Sequence, residues 1–229
     1  SRGATAAFPG YRDPKPMVCS GLFPIDGDAF EALRESLGQL KHNAASITYQ
    51  PACSGELAFG FRCGYLGLLH MEIVKERLER EFGLSLIATA PSVEYRVSCT
   101  DGVDISVENP AELPPVQQIS SIAEPVFKVS LITPTAYTGT LMDLCQSRRG
   151  VMQRMEYLSP ERVELVYEVP LAEVVVDFFD QLKSRSQGYA SLDYELIGYR
   201  EANLVRVDLL LNGLPADAFS TIVHRDNAE

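Results

Sequence analysis

The sequence predicts an α+β fold of two tandem ferredoxin-like plaits with antiparallel sheets. Period-two alternation and helical spacing of apolar residues follow one another in the order β-α-β-β-α-β. That order occurs twice, and within each unit the two middle strands are joined by a loop short enough for a hairpin. Each unit is thus a split βαβ, a four-stranded antiparallel sheet with two helices on one face.

In the first unit "MVCSGLF", 17–23, reads as a strand. Phe30, Leu33, Leu37 and Leu40 recur at helical spacing behind Asp26 or Asp28, either of which can cap the helix. Ile47 with Tyr49, and then Leu57, Phe59 and Phe61, alternate as two strands around a "PACSG" loop. Met71, Val74, Leu78 and Phe82 line a second helix, on whose wet face Glu76 and Arg80 lie one turn apart. Gly83 stands where a helix C-cap glycine belongs. The last strand is expected within 86–97, where Val93, Tyr95 and Val97 alternate.

In the second unit Phe127, Val129 and Leu131 alternate, and Tyr137, Leu141, Leu144 and Cys145 then share a helix face. That helix ends in a basic turn before Gly150. "VMQRMEYL" and "VELVYEV" form a hairpin through "SPER". Pro170 opens a helix with Ala172, Val175, Val176, Phe179 and Leu182 on one side, stopping near Gly188. Leu192, Tyr194 and Leu196 alternate in the last strand. Asp101-Gly102 marks a small hairpin between the units, and the Pro-bearing stretch after it reads as a linker. The expected boundaries are a linker over 1–14, a plait over 15–97, hairpin and linker over 98–123, a plait over 124–198, and the start of another domain over 199–229. A start without Met on Pro/Gly-rich text is expected of a piece of a longer protein.

A formal net charge of −11 argues against a dedicated nucleic-acid binder but leaves room for a local basic patch. Five cysteines, odd in number and without a C-x-x-C pair, suit reduced thiols better than disulfides or zinc. Gly60, Gly64 and Gly67 match neither the Rossmann nor the P-loop spacing, so turn geometry or close packing is the expected role. His70 and Glu72 form an H-x-E without its P-C-x-x-C partner, and Cys63 with His70 has no third catalytic member. "HRDN" at 224–227 lacks the Asn and the companion motifs of a kinase loop. By its residues the chain is not an enzyme and holds no cofactor or metal. The clustered cations are Arg148 and Arg149 beside Arg154, and Lys183 with Arg185, each pair near a helix C-terminus.

Two stretches carry a family resemblance. "GFRCGYLGLLHMEIVKERLEREFGLSLIATAPSVEYRV" resembles the third domain of translational GTPases of the elongation factor G type, and "PLAEVVVDFFDQLKSRSQGYASLDY" resembles their fifth. "FRCGYLGLLHMEI", "GYASLDY" and "VHRDN" look like the LepA branch in particular. The resemblance runs from about Lys15 onward and implies two ferredoxin-like plaits. It also implies ribosome-dependent GTP hydrolysis coupled to backward movement of tRNAs, in support of translational fidelity. GTP and Mg would lie in an upstream G domain followed by a β-barrel, since no P-loop or N-K-x-D occurs here. The first plait would face the small subunit and the second the large-subunit RNA, coupled by rigid-body shifts. Partners implied are the ribosome, with its rRNA and tRNAs, and the upstream domains of the same chain, in a monomer. The implied location is the cytoplasm, with a peripheral place on the inner face of the cell membrane. Arg62, Arg148, Arg149, Lys183 and Arg185 are the expected RNA contacts. The competing reading is a free-standing ligand sensor built from tandem plaits.

Overall fold

The computed structural model describes residues 16–43, 47–54, 57–175, 177–211, 213–215 and 219–228. The expected linker over 1–14 lies outside them. Two units divide the chain, one from Ser1–Cys53 and Leu57–Ala88, the other chiefly from Thr89–Glu229.

The first unit runs β1 (Val18–Pro24), α1 (Phe30–Asn43), β2 (Thr48–Ser54), β3 (Ala58–Tyr65), α2 (Leu68–Arg80) and β4 (Leu86–Ala88). Its strands lie in the order β2-β3-β1-β4, the arrangement of a split βαβ. The Asp26 carboxylate caps the turn before α1 by accepting from the Asp28 N–H. Leu33, Leu37 and Leu40 of α1 and Val74 and Leu78 of α2 bury against Leu22, Phe61, Cys63 and Tyr65. Each such leucine contributes about 1.5–3 kcal/mol relative to exposure. Arg80 and Glu76 pair at 2.7 Å, and Gly83 adopts φ +66° after α2. "PACSG" is mostly strand instead of loop: β2 runs through Pro51, which an edge strand tolerates.

The glycines before α2 divide between the two roles expected of them. Gly60 and Gly64 lie inside β3, paired with β1, and only Gly67 sits at the helix entry. A Cβ on Gly60 would stand 2.5 Å from the Leu22 carbonyl oxygen and from Phe23 Cδ1. One on Gly64 would stand 2.5 Å from Thr48 Oγ1. Close packing inside the sheet, not turn geometry, requires them.

The second unit opens with a two-residue strand, β5 (Ser92–Val93), and the hairpin of β6 (Tyr95–Cys99) and β7 (Asp104–Val107), turned at Gly102 with φ +83°. The plait follows: β8 (Ile119–Pro134), α3 (Thr138–Ser147), β9 (Val151–Ser159), β10 (Arg162–Pro170), α4 (Leu171–Val174), α5 (Phe178–Arg185) and β11 (Ser191–Glu201). All its ladders are antiparallel. Ala123 of β8 pairs with both Arg96 and Glu201, and Val126 with both Pro170 and Gly198. β11 therefore holds one edge of β8, while β6 and then β10 share the other.

Tyr95 and Val97 thus belong to the second sheet. Their assignment to the last strand of the plait over 15–97 is corrected, since Leu86–Ala88 pairs with β1 in that place. Alternation reveals a strand but not its partner. Over 98–123, expected as hairpin and linker, β7 is the second arm of the hairpin through Gly102, and two short 3-10 turns and the start of the sixteen-residue β8 take the place of the linker. The helix expected after Pro170 is broken into α4 and α5 by Asp177, which sits at φ +50°. Leu171, Val174, Val175, Phe178 and Leu182 face the core there, while Val176 lies outside the described residues. Beyond β11 come β12 (Leu204–Val207), β13 (Leu210–Leu211), β14 (Leu214–Pro215) and β15 (Thr221–His224); β12 pairs with β15, and β13 with β14.

Candidate nucleic-acid interface

The α3 terminus is a closed structure. The Arg148, Arg149 and Gly150 N–H groups donate to the Cys145, Gln146 and Cys145 carbonyls, so the last turn is tied down. Arg149 takes φ +56°, which aims its side chain back into the unit. Its Nη1 and Nη2 meet the Glu124 carboxylate of β8 at 2.6 and 2.9 Å, and its Nε meets Glu173 of α4 at 2.7 Å. The Glu124 side chain is 3% exposed and that of Arg149 22%. Burial works against the guanidinium charge, but the two carboxylates outweigh it and hold the Arg149 pKa above its ordinary value. Arg148 pairs with Asp177, the residue that breaks the α4–α5 run. The network lines a cavity of about 200 Å³ shared with Tyr95, Ile222 and His224.

Arg149 is therefore turned away from the expected RNA contact, because all three nitrogens of its guanidinium meet internal carboxylates. Arg148 is likewise turned toward Asp177. Arg62 is half-buried within β3, opposite Gly21, away from any loop.

The α5 terminus is built otherwise. The buried Ser186 Oγ donates to the Leu182 carbonyl and accepts from the Ala190 N–H. Gln187 and Gly188 both adopt positive φ, and the Gly188 N–H reaches back to the Lys183 carbonyl at 2.8 Å. The chain thus reverses over the last helical turn and brings Tyr189 out beside it, with its N–H on the Ser186 carbonyl. Lys183 and Arg185 are exposed on that turn. Arg185 donates only to the neutral Gln181, and Lys183 makes no ion pair among the described residues. The turn faces Tyr137, whose hydroxyl donates to Gln187 Oε1 at 3.0 Å and whose ring is nearly parallel to that of Tyr189. Helical spacing alone puts Tyr137 on a core-facing side. It stands at the helix entry instead, half exposed.

On the second sheet three cations are paired, while the exposed Arg162 of β10 makes no ion pair among the described residues. Lys128 pairs with Glu195, Arg154 with Glu164, and Arg200 with Glu168. Cys63 with His70 forms no reactive pair. Cys63 is fully buried and its thiol is pushed up to about 12 by that burial, while His70 Nδ1 accepts from the Leu66 N–H. Among the described residues no group of three or more His, Cys, Asp or Glu could hold a metal, and no helix is long and apolar enough to cross a membrane.

Residues 121–210 match the family model described as the elongation factor G C-terminus. The chain is 58% identical over 228 residues to elongation factor 4 of Gloeobacter violaceus, across 100% of this chain and 38% of that protein. It is 60% identical to elongation factor 4 of Crocosphaera subtropica, across 98% of this chain and 37% of that protein. Elongation factor 4 of Thermobifida fusca is 59% identical, across 98% and 36%. The chain therefore spans little more than a third of the length of these relatives. A crystal structure of a protein from Thermus thermophilus superposes with TM-score 0.55 at 18% identity, covering 88% of this chain and 43% of that one, a likeness of fold.

Proposed function

This chain belongs to the elongation factor 4 family, and from that premise we propose that it is a ribosome-contacting part of a translation factor. The observation that carries the reading is the α5 terminus. Two cations without a carboxylate partner among the described residues stand on a capped, rigid turn inside the part that matches the elongation factor G C-terminus. Counter-charge for phosphate is presented there despite the acidic total. Under this reading the full-length protein hydrolyses GTP on the ribosome, with GTP and Mg in a G domain upstream, and moves tRNAs backward in support of fidelity. It works as a cytoplasmic monomer, and rRNA is what Lys183 and Arg185 touch. Peripheral attachment to the inner face of the cell membrane belongs to the same reading and is tested by sedimentation with vesicles. The ligand-sensor alternative is not favoured, because the similarity to translation factors runs the length of the chain.

The test is ribosome binding measured across salt concentration. The Lys183→Ala/Arg185→Ala double variant should bind more weakly at low salt and show a flatter dependence. The expected fall in the log–log slope is about 1.4 to 1.8, from two phosphate contacts at roughly 0.7–0.9 each. Unchanged affinity at every salt concentration would refute the assignment.

A further inference from the structure

We propose that Tyr189, backed by Tyr137, is a stacking ledge for an unpaired RNA base. The inference rests on the reading of this face as a ribosome contact and adds a second, non-electrostatic component to it.

Tyr189 is 68% exposed, although an aromatic ring that size gains most by being covered. It is not loosely held. Its backbone is fixed by the bond to Ser186, by the left-handed Gln187-Gly188 turn, and by the Ser186 hydroxyl that ties down Ala190. Its ring and that of Tyr137 lie stacked, 6.3 Å apart at 14°, so Tyr137 backs one face of Tyr189. The Tyr137 hydroxyl is anchored by Gln187, which fixes the second ring as well. The ledge is therefore preorganised, and little rotamer entropy is lost when something stacks on it.

Charge decides what that something is. Among the described exposed tyrosines, Tyr194 is already stacked on Phe127 and set against Phe179, and Tyr157 stands on the edge strand β9 with no aromatic ring beside it. Tyr189 instead follows a helical turn bearing Lys183 and Arg185, with Asp180 the acidic residue of the same helix. An exposed π-face beside unpartnered cations is the pairing that single-stranded and loop RNA exploits: cations track the phosphates and the ring takes the base. A duplex keeps its bases stacked on each other and offers the ring nothing. The ligand is therefore an unpaired or splayed base in rRNA, read without base-specific hydrogen bonds.

The chain contains no tryptophan, so Tyr189→Trp places a single indole reporter at the ledge. Its emission should be quenched by a single-stranded oligoadenylate at low salt and by ribosomes, and not by an RNA duplex of the same length. In parallel, Tyr189→Ala should weaken ribosome binding about tenfold, the loss of one stacked base, while Tyr189→Phe retains it. The salt slope should be unaltered by Tyr189→Ala, in contrast with the double cation variant. Tyr189 is exposed, so circular dichroism should show all three variants folded. Equal quenching by duplex and single strand, no quenching by either, or full ribosome affinity in Tyr189→Ala would each overturn the ledge. If the unaltered chain binds no ribosomes, the broader reading falls, and the oligoadenylate measurement still decides the stacking.

Discussion

Two helix ends in the second unit look alike in sequence and do opposite things. α3 finishes "SRRG" and α5 finishes "KSRSQG"; each carries two cations, a non-glycine residue at positive φ, and then a glycine. At the first end, Glu124 and Glu173 reach in from β8 and α4 and meet all three nitrogens of the Arg149 guanidinium. At the second, no carboxylate from another element arrives among the described residues, and the basic groups stay in solvent. A cation near a helix end is thus committed inward or outward by residues far away in sequence. The local text favours charge there for either purpose, because both uses compensate the helix dipole.

The sharpest way to break the comparison is to remove the inward cation. Arg149→Ala leaves Glu124 buried with no counter-charge, a change that typically costs 3–5 kcal/mol; about 3 kcal/mol is expected, because the guanidinium is a fifth open to solvent. Urea unfolding should show it as a lower midpoint with an unaltered slope. Arg149→Gly should lose about 1 kcal/mol less than Arg149→Ala, since glycine accepts φ +56° without strain. Equal losses would mean that the left-handed backbone stores nothing. Glu124→Gln comes next. Arg149 keeps Glu173 and can still donate to the amide oxygen, so the expected loss is about 1.5–3 kcal/mol, that of weakening hydrogen bonds to a charged group.

Much of this fold was legible because it rests on local period. Leu33, Leu37 and Leu40, or Phe127, Val129 and Leu131, announce helix and strand by spacing alone, and all six are buried. What spacing could not supply is partnership. Val97 alternates correctly but pairs with Ile122, and Gly60 packs on Leu22, so each is explained by a strand distant in sequence. The candidate interface divides the same way. Lys183 and Arg185 were readable as cations on a polar turn, yet Tyr189 was hidden, because one exposed tyrosine carries no periodic signal. Its meaning depends on Tyr137, which lies across the fold and in sequence resembles a core residue.

Arg148 is the intermediate case. Its partner Asp177 is nearly half exposed, so water already competes for the carboxylate. Arg148→Ala should therefore cost about 1–2 kcal/mol, between a surface ion pair and the loss at Arg149, because the arginine is mostly covered but the carboxylate left behind is open to water. A loss as large as that of Arg149→Ala would place Arg148 inside the same buried network and erase the distinction between the two neighbours.

The smallest effect on stability is expected where the effect on binding is largest. Among the described residues Lys183 and Arg185 touch no carboxylate of another element, and what the fold draws from them is dipole compensation at the end of an eight-residue helix. The Lys183→Ala/Arg185→Ala variant should therefore unfold within about 0.5 kcal/mol of the unaltered chain, as surface substitutions usually do. If the pair instead proves as costly to stability as Arg149, then the α5 end serves the fold and not a partner. Its loss of ribosome affinity would then follow from unfolding. A variant that is thermodynamically silent yet flattens the salt dependence of binding separates the two uses, since a cation already spent on folding cannot also be available to phosphate.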